Sequence, residues 1–372
     1  MTARGLRRRS PPLGADVAVV GSGLPALAAA LELSRRGVRV AVLESDPSGQ
    51  PARGLGLALL GPGRPYARVA RALGRAAARF VWAAGCENHL RLRAFLEAAG
   101  RDCGYAPRGS FLLAVDRAEA AELAESEDML RDDGFPGEFL DHYMLETRFD
   151  LSGFPGAYWA AEDAEVDGGL LLGALGERAR SAGIAFVPGP VRRVVAETAS
   201  VSLETEDGVL HAGAGLVATD GAAAGLIPEL QPLLRPAAPD RLTAAVLGGA
   251  ALPSAARTAD GGFAWKCAEG TVLLSGTGPA EERSSDRLLA FAQRIPVEIA
   301  SVHRWEETGE VAADGLPLVG RLPGRPLATA CGFGALSAGL AFAAARWVAD
   351  ALLTGTDPTP EALRVTRTPA SV

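Results

Sequence analysis

Apolar and polar positions fall into blocks with two periods. The run Asp16-Val-Ala-Val-Val20 is β-branched and reads as a buried parallel strand, because a turn and a helix follow it. That helix continues to about Arg36, with Ala30 and Leu33 on its inner side, and Gly37 ends it. Residues 38–43 form a second strand closed by Glu44. Helices are predicted over 65–99, from Arg117 onward and from 166 to about 182. Strands are predicted at 111–115, 184–187 and 191–195, and a hairpin turns at Asp207-Gly208 between 201–205 and 209–211. A buried strand at 216–221 ends in a glycine turn, and 240–275 is strand-rich. A helix within 279–300 precedes a strand at 303–308. The chain then reads as a turn and short strand at 314–320, a last strand at 327–331 and a long helix over 336–353. Residues 48–64 are glycine-rich loop, 132–157 are loop-rich, and no internal repeat is visible.

Composition narrows the function classes. The 372 residues are 48% hydrophobic and 22% charged, as in an ordinary globular chain of about two domains. The net charge is −7, a poor match to a nucleic-acid binder. The cations are almost all arginine, Lys266 being the single lysine, and Asn88 is the single asparagine. Cys86, Cys103, Cys267 and Cys331 form no C-x-x-C pair, so neither a zinc site nor a disulfide framework is expected. Free thiols point to a reducing, cytoplasmic compartment. Arg4, Arg7, Arg8 and Arg9 precede an apolar run, as in a signal peptide, but Gly21, Gly23 and Pro25 interrupt that run. No uninterrupted apolar stretch of membrane-spanning length is read in the chain.

The chemistry starts at Gly21-Ser-Gly-Leu-Pro-Ala26, a G-x-G-x-x-A pattern. Gly21 permits the sharp turn, Gly23 lets the backbone approach a pyrophosphate, and Ala26 lets helix and strand pack closely. The helix N-terminus at Leu24 suits a diphosphate. Glu44 stands 23 residues after Gly21, where a carboxylate accepts from ribose hydroxyls and disfavours a 2′-phosphate. The same order of elements also serves a tightly packed βαβ unit without a ligand. The motif occurs once, which favours one tightly held dinucleotide.

Further blocks carry a resemblance. They are Val-Val-Gly-Ser-Gly-Leu-Pro-Ala, Val166-Asp-Gly-Gly-Leu-Leu-Leu-Gly-Ala-Leu, and Val217-Ala-Thr-Asp-Gly followed by Pro228 and Leu230. The most specific are Arg304-Trp305, Asp314-Gly-Leu-Pro-Leu-Val-Gly and Cys331-Gly-Phe-Gly-Ala-Leu-Ser-Ala-Gly339. Together the chain resembles the D-amino acid oxidase-like FAD-dependent oxidoreductases, the group of glycine oxidase, sarcosine oxidase and γ-glutamylputrescine oxidase. The resemblance implies FAD, held without a covalent link, and cofactor contacts at Gly21, Gly23, Leu24, Ala26, Glu44, Arg53, Gly54, Val191, Ala218, Gly221, Asp314, Gly332, Gly334, Ala335, Leu336, Ser337 and Gly339. It implies hydride transfer to flavin N5 from the C–H beside a substrate nitrogen, followed by imine hydrolysis. That chemistry asks for few protein acids or bases. His303, Arg304 and Trp305 are the candidate substrate-side residues. Lys266, Tyr158 and Phe263 are weaker ones, each with a packing or surface role as the alternative. The chain departs from the family at 308–313, where the carboxylate-gripping arginine is missing.

The expected fold is therefore α/β with an α+β second domain. A Rossmann-like FAD-binding domain takes 14–100, 167–222 and 311–360. A mixed or antiparallel-sheet substrate domain takes 101–166 and 223–310, and 1–13 and 361–372 are flexible. The expected activity is oxidation of a C–N bond in a small amine or amino acid, with O2 or another electron acceptor. Two alternatives stand beside it: an FAD-dependent hydroxy-acid dehydrogenase, and a flavin-binding subunit of a complex without turnover of its own.

Overall fold

A computed structural model describes residues 14–44, 55–219, 221–237, 240–247, 254–268, 271–276, 285–295, 298–306 and 309–369. Among them, a six-stranded sheet runs in the order Leu318–Arg321, Leu327–Cys331, Ala214–Val217, Val17–Val20, Val40–Leu43, Ala185–Val187. Only the first pair is antiparallel. Both faces of the central strands are covered, so Val17–Val20 and Val40–Leu43 are buried at every position. The helices Leu24–Arg35 and Ser337–Thr354 pack against each other, and their small faces permit close approach: Ala26, Ala29, Ala30, Ala341 and Ala349 are fully closed off. The C-terminal helical segment, Gly334–Thr354, is long and apolar enough to cross a membrane, but 72% of its apolar window is buried in this fold. Its apolarity serves the core.

An eight-stranded sheet runs Glu298–Glu306, Asp240–Leu247, Thr271–Gly276, Phe263–Ala268, Ala255–Thr258, Ser110–Leu113, Gly156–Ala160, Glu138–Asp141. All neighbours are antiparallel except Ala255–Thr258 beside Ser110–Leu113. One face carries its own core of Phe111, Leu113, Trp265, Val272 and Leu274. The other face, including Leu112 and Tyr158, packs into the core shared with the six-stranded sheet. The six strands come from 14–100, 167–222 and 311–360, and the eight from 101–166 and 223–310.

Three expectations are corrected. Residues 132–157 are not mainly loop: they hold the strand Glu138–Asp141 and the helix His142–Phe149, whose N-terminus is capped by Asp141 accepting from Met144 N at 2.8 Å. The strand expected at 303–308 begins already at Glu298, after the helix Ser285–Ala292 that was expected within 279–300. The tail, expected to be flexible from 361, is packed as far as Arg367: Leu363 and Val365 are buried, Val365 N donates to Val319 O at 2.8 Å, and Arg367 pairs with Asp314.

Candidate dinucleotide and substrate site

At the carboxyl edge of the six-stranded sheet, Val17–Val20 has one neighbour reached through the first helix and another, Ala214–Val217, on its opposite side. The chain diverges here, and a crevice of this kind is where open α/β sheets take ligands. Gly21 has φ +117°, and a Cβ there would lie 2.2 Å from Ala218 O. Only glycine lets the strand turn against Ala218. Gly23 stands at the N-cap of Leu24–Arg35, and no side chain caps that helix end. Ala26 is fully buried against the sheet, and Glu44 follows the end of Val40–Leu43 with its N–H donating to Val187 O at 3.1 Å. Beside Gly21, the buried Thr219 Oγ1 has no hydrogen-bond partner among the described residues. An uncapped helix end, an acid at the next strand tip and an orphaned hydroxyl fit a dinucleotide diphosphate and ribose. Val191 is buried with Val20, Leu43 and Val217, and Gly221 has φ +153°. Arg53 and Gly54 lie outside the described residues.

The last helix starts from the same sheet edge, because Leu327–Cys331 runs parallel to Ala214–Val217. Gly332 and Gly334 both have positive φ. Between them Phe333 is buried and bridges Val311 of the strand Gly309–Ala312. Gly334 and Ala335 are exposed, Leu336 is buried, and Ser337 Oγ donates back to Gly334 O at 3.1 Å. Gly339 lies against the Leu59 backbone: a Cβ would come within 2.8 Å of Leu59 O.

The entry of this helix is held by Asn88, on the helix Arg75–Ala99. Its Nδ2 donates to Ala338 O at 2.8 Å, and its Oδ1 accepts from Phe342 N at 2.9 Å. These are the two groups that would otherwise join each other in the helical ladder. The fully buried amide is inserted into the first turns of the helix.

Asp314 was expected at the cofactor, and its carboxylate is engaged elsewhere. Its oxygens accept from Arg367 Nε at 2.9 Å and Nη2 at 2.8 Å, and Oδ1 also accepts from Leu316 N at 3.0 Å. Arg367 donates further to Leu316 O and Pro317 O. Asp314 thus locks the turn to the C-terminal tail.

On the eight-stranded sheet, His303, Arg304 and Trp305 pair with Thr243, Leu242 and Arg241. Following the pairing across the sheet, His303 and Trp305 share the alternating set of Leu273, Lys266 and Arg257, and Arg304 shares that of Leu274 and Trp265. His303 is exposed. Lys266, with a surface role as its alternative, is half-buried: Nζ donates to Val166 O at 2.7 Å, and burial lowers its pKa. Phe263 stacks on Phe291, centroids 4.2 Å apart, with the core of the opposite face. Tyr158 lines a cavity of about 40 Å³ between the sheet and the segment 59–66, and burial raises its phenol pKa.

Sequence reasoning did not single out the polar groups of that cavity. Asp163 is buried, its Oδ1 accepting from Leu60 N at 2.8 Å and its Oδ2 from Ser110 Oγ at 2.6 Å. Burial pushes its carboxyl up to about 6 against these bonds and the charge of Arg257. Nothing local in the sequence links Asp163, Leu60, Ser110 and Arg257, which come from four separate segments. No group of three or more His, Cys, Asp or Glu able to hold a metal is present among the described residues.

Two glycine-bordered helix ends on one parallel-sheet edge, beside a second sheet that shares the same core, are the frame of a dinucleotide-binding fold. The chain belongs to the FAD dependent oxidoreductase (DAO) family, whose pattern it matches over residues 16–351. It is 29% identical over 224 residues to glycine oxidase of Geobacillus kaustophilus (strain HTA426), a match spanning 57% of this chain and 56% of that relative. The solved glycine oxidase of Geobacillus kaustophilus superposes with TM-score 0.77 at 24% identity, covering 95% of this chain and 99% of the other. L-proline dehydrogenase from P. horikoshii gives 0.73 at 17% identity, with 96% and 98% covered. Iminodiacetate oxidase from Chelativorans sp. BNC1 gives 0.72 at 18%, with 92% and 97% covered. These likenesses establish the fold.

Proposed function

We propose that this protein oxidises the carbon–nitrogen bond of a small amine or amino acid, with FAD held non-covalently and electrons passed to O2 or another acceptor. The observation that carries the reading is the turn Gly332–Gly334. It opens the last helix at the same sheet edge as Gly23 and is seated by Phe333 against Val311. The similarity to a glycine oxidase, a proline dehydrogenase and an iminodiacetate oxidase supports an amino-acid-like substrate.

The flavin, when bound, supplies the hydride acceptor, so the protein's tasks are binding, orientation and water exclusion. Gly23, Leu24 and Ala26 would hold the diphosphate, and Glu44 the ribose. Gly334, Ala335, Leu336 and Ser337 would face the flavin with an uncapped helix end, which stabilises negative charge gathering on the ring. His303, Arg304 and Trp305 remain the substrate-side candidates, and the register of His303 aligns it with Leu273 and Lys266 across the sheet. Four cysteines held as thiols support the cytoplasmic placement.

The test is the visible spectrum of the purified protein, followed anaerobically during titration with amines, amino acids and hydroxy acids. Bleaching of the flavin band by amines or amino acids is expected. Bleaching by hydroxy acids alone would replace this reading with hydroxy-acid dehydrogenation. A flavin that no class bleaches would point to a subunit without turnover of its own.

A further inference from the structure

The strand Gly309–Ala312 touches both halves of the cofactor edge. It pairs with Leu234–Ala237, and Val311 is also bridged by Phe333. The second contact is tight. A Cβ on Gly334 would lie 2.9 Å from Val311 Cγ1, and one on Gly332 would lie 3.1 Å from Ala312 N. The turn Gly332–Gly334 therefore sits directly on this strand.

Glu310, the next residue, reaches the other half. Its Oε2 accepts from Ala223 N at 3.0 Å and from Ala224 N at 3.3 Å. These N–H groups open the short helix Ala223–Leu226, whose N-cap residue, Ala222, has no side-chain acceptor to offer. A carboxylate 87 positions along the chain stands in for the local cap.

The chain needs a hold at this point. As far as Ala218 it is fixed by the parallel sheet: Ala218 N donates to Val20 O at 2.9 Å, and its carbonyl abuts Gly21. Beyond Gly221 it has left the sheet. Ala223 and Leu226 pack with Ala312 and Cys331 in one core. Apolar packing of this kind is non-directional, so it brings the segments together without fixing their register. The two hydrogen bonds of Glu310 are directional and do fix it. Just past the end of the strand, Asp314 is anchored in turn by Arg367.

We propose that Glu310 is a positioning residue for the cofactor. It sets the spacing between the segment that follows Ala218, beside the diphosphate, and the turn Gly332–Gly334 at the flavin. This rests on the FAD reading. FAD is one molecule that must satisfy both ends at once, so its affinity depends on their spacing. A ligand that fills the diphosphate end alone has no such dependence. The stretch 308–313 thus has a task of its own.

The test compares FAD with ADP, each titrated by calorimetry into the full-length protein freed of flavin. Glu310→Ala should weaken FAD at least tenfold and leave ADP within twofold of wild type. Glu310→Asp keeps the charge on a shorter arm and should weaken FAD in the same selective way. Glu310→Gln offers an amide oxygen at the same reach and should restore FAD affinity to within about threefold. Unchanged FAD affinity in Glu310→Ala overturns the proposal. FAD and ADP weakened together also overturn it, because a merely structural role would loosen both ends. A wild type that takes FAD but not ADP does so too, since the diphosphate end then does not bind on its own. A wild type that takes neither removes the FAD reading on which the proposal stands. Should Glu310→Ala fail to fold, Glu310→Asp against Glu310→Gln carries the same comparison.

Discussion

Asp163 holds a buried carboxyl whose pKa is raised from an ordinary 3.8 to about 6. A carboxyl raised on folding favours the native state fully below its unfolded pKa, and this contribution is lost as pH climbs through the folded value. Between about pH 4 and 6 the wild-type protein therefore loses roughly 3 kcal/mol on account of this group. Asp163→Asn keeps the shape and removes the titration. The stability difference between variant and wild type, by urea unfolding, should move in the variant's favour by about that amount from pH 4 to 7.5. A difference that stays flat with pH contradicts the burial of a titrating carboxyl. Gly23 is the second residue whose environment makes a sharp forecast. Gly23→Asp places a carboxylate at the uncapped end of Leu24–Arg35, where a diphosphate would need the same N–H groups. The variant should purify colourless, and a full yellow spectrum would displace the dinucleotide from this edge. What the sequence made legible at this scale were residues acting through neighbours in the chain. Gly21, Gly23 and Ala26 declare themselves by spacing. Glu310 and Asp163 do not, because their meaning depends on Ala223, Leu60 and Ser110, brought together only by folding. The engagement of the Asp314 carboxylate was hidden for the same reason: its partner, Arg367, lies 53 positions away.

Among elements, the last helix shows how packing overrides ladder geometry. Asn88, a fully buried amide, bonds both groups that the helical ladder pairs, Ala338 C=O and Phe342 N–H. Asn88→Ala would leave Phe342 N–H and Ala338 C=O either apart and unsatisfied or rejoined over an emptied space. We expect a loss of about 2 kcal/mol in thermal or urea unfolding, together with weaker FAD retention on dilution. Unchanged retention would mean that Asn88 supports the helix without setting its flavin-facing end. Strong periodicity made the helices and the buried strands readable in advance. The weakly patterned Glu138–Asp141 and His142–Phe149 were not, since each is short and half-exposed and gains its definition from the strand Gly156–Ala160 and the cap at Asp141.

The whole molecule is closed by its last segment. Val365 joins Val319, Leu363 is fully buried, and Arg367 neutralises a fully enclosed Asp314. Ending the chain after Pro360 would leave that carboxylate unpaired, a loss of about 3–5 kcal/mol. The expected result is a clear drop in Tm that added FAD recovers only in part, and an unaltered Tm would show that the tail contributes nothing to closure. The order of strands has a consequence in time. Val17–Val20 emerges early, yet its partner Ala214–Val217 follows about 200 residues later and Leu327–Cys331 later still. At ribosomal speeds of about 5–20 residues per second, the first strand waits on the order of 10–40 s for the neighbour that completes its dinucleotide edge. The apolar Val-Ala-Val-Val edge is exposed throughout that interval, so capture of the cofactor belongs to the end of synthesis, and the nascent chain before it is a natural client for chaperones.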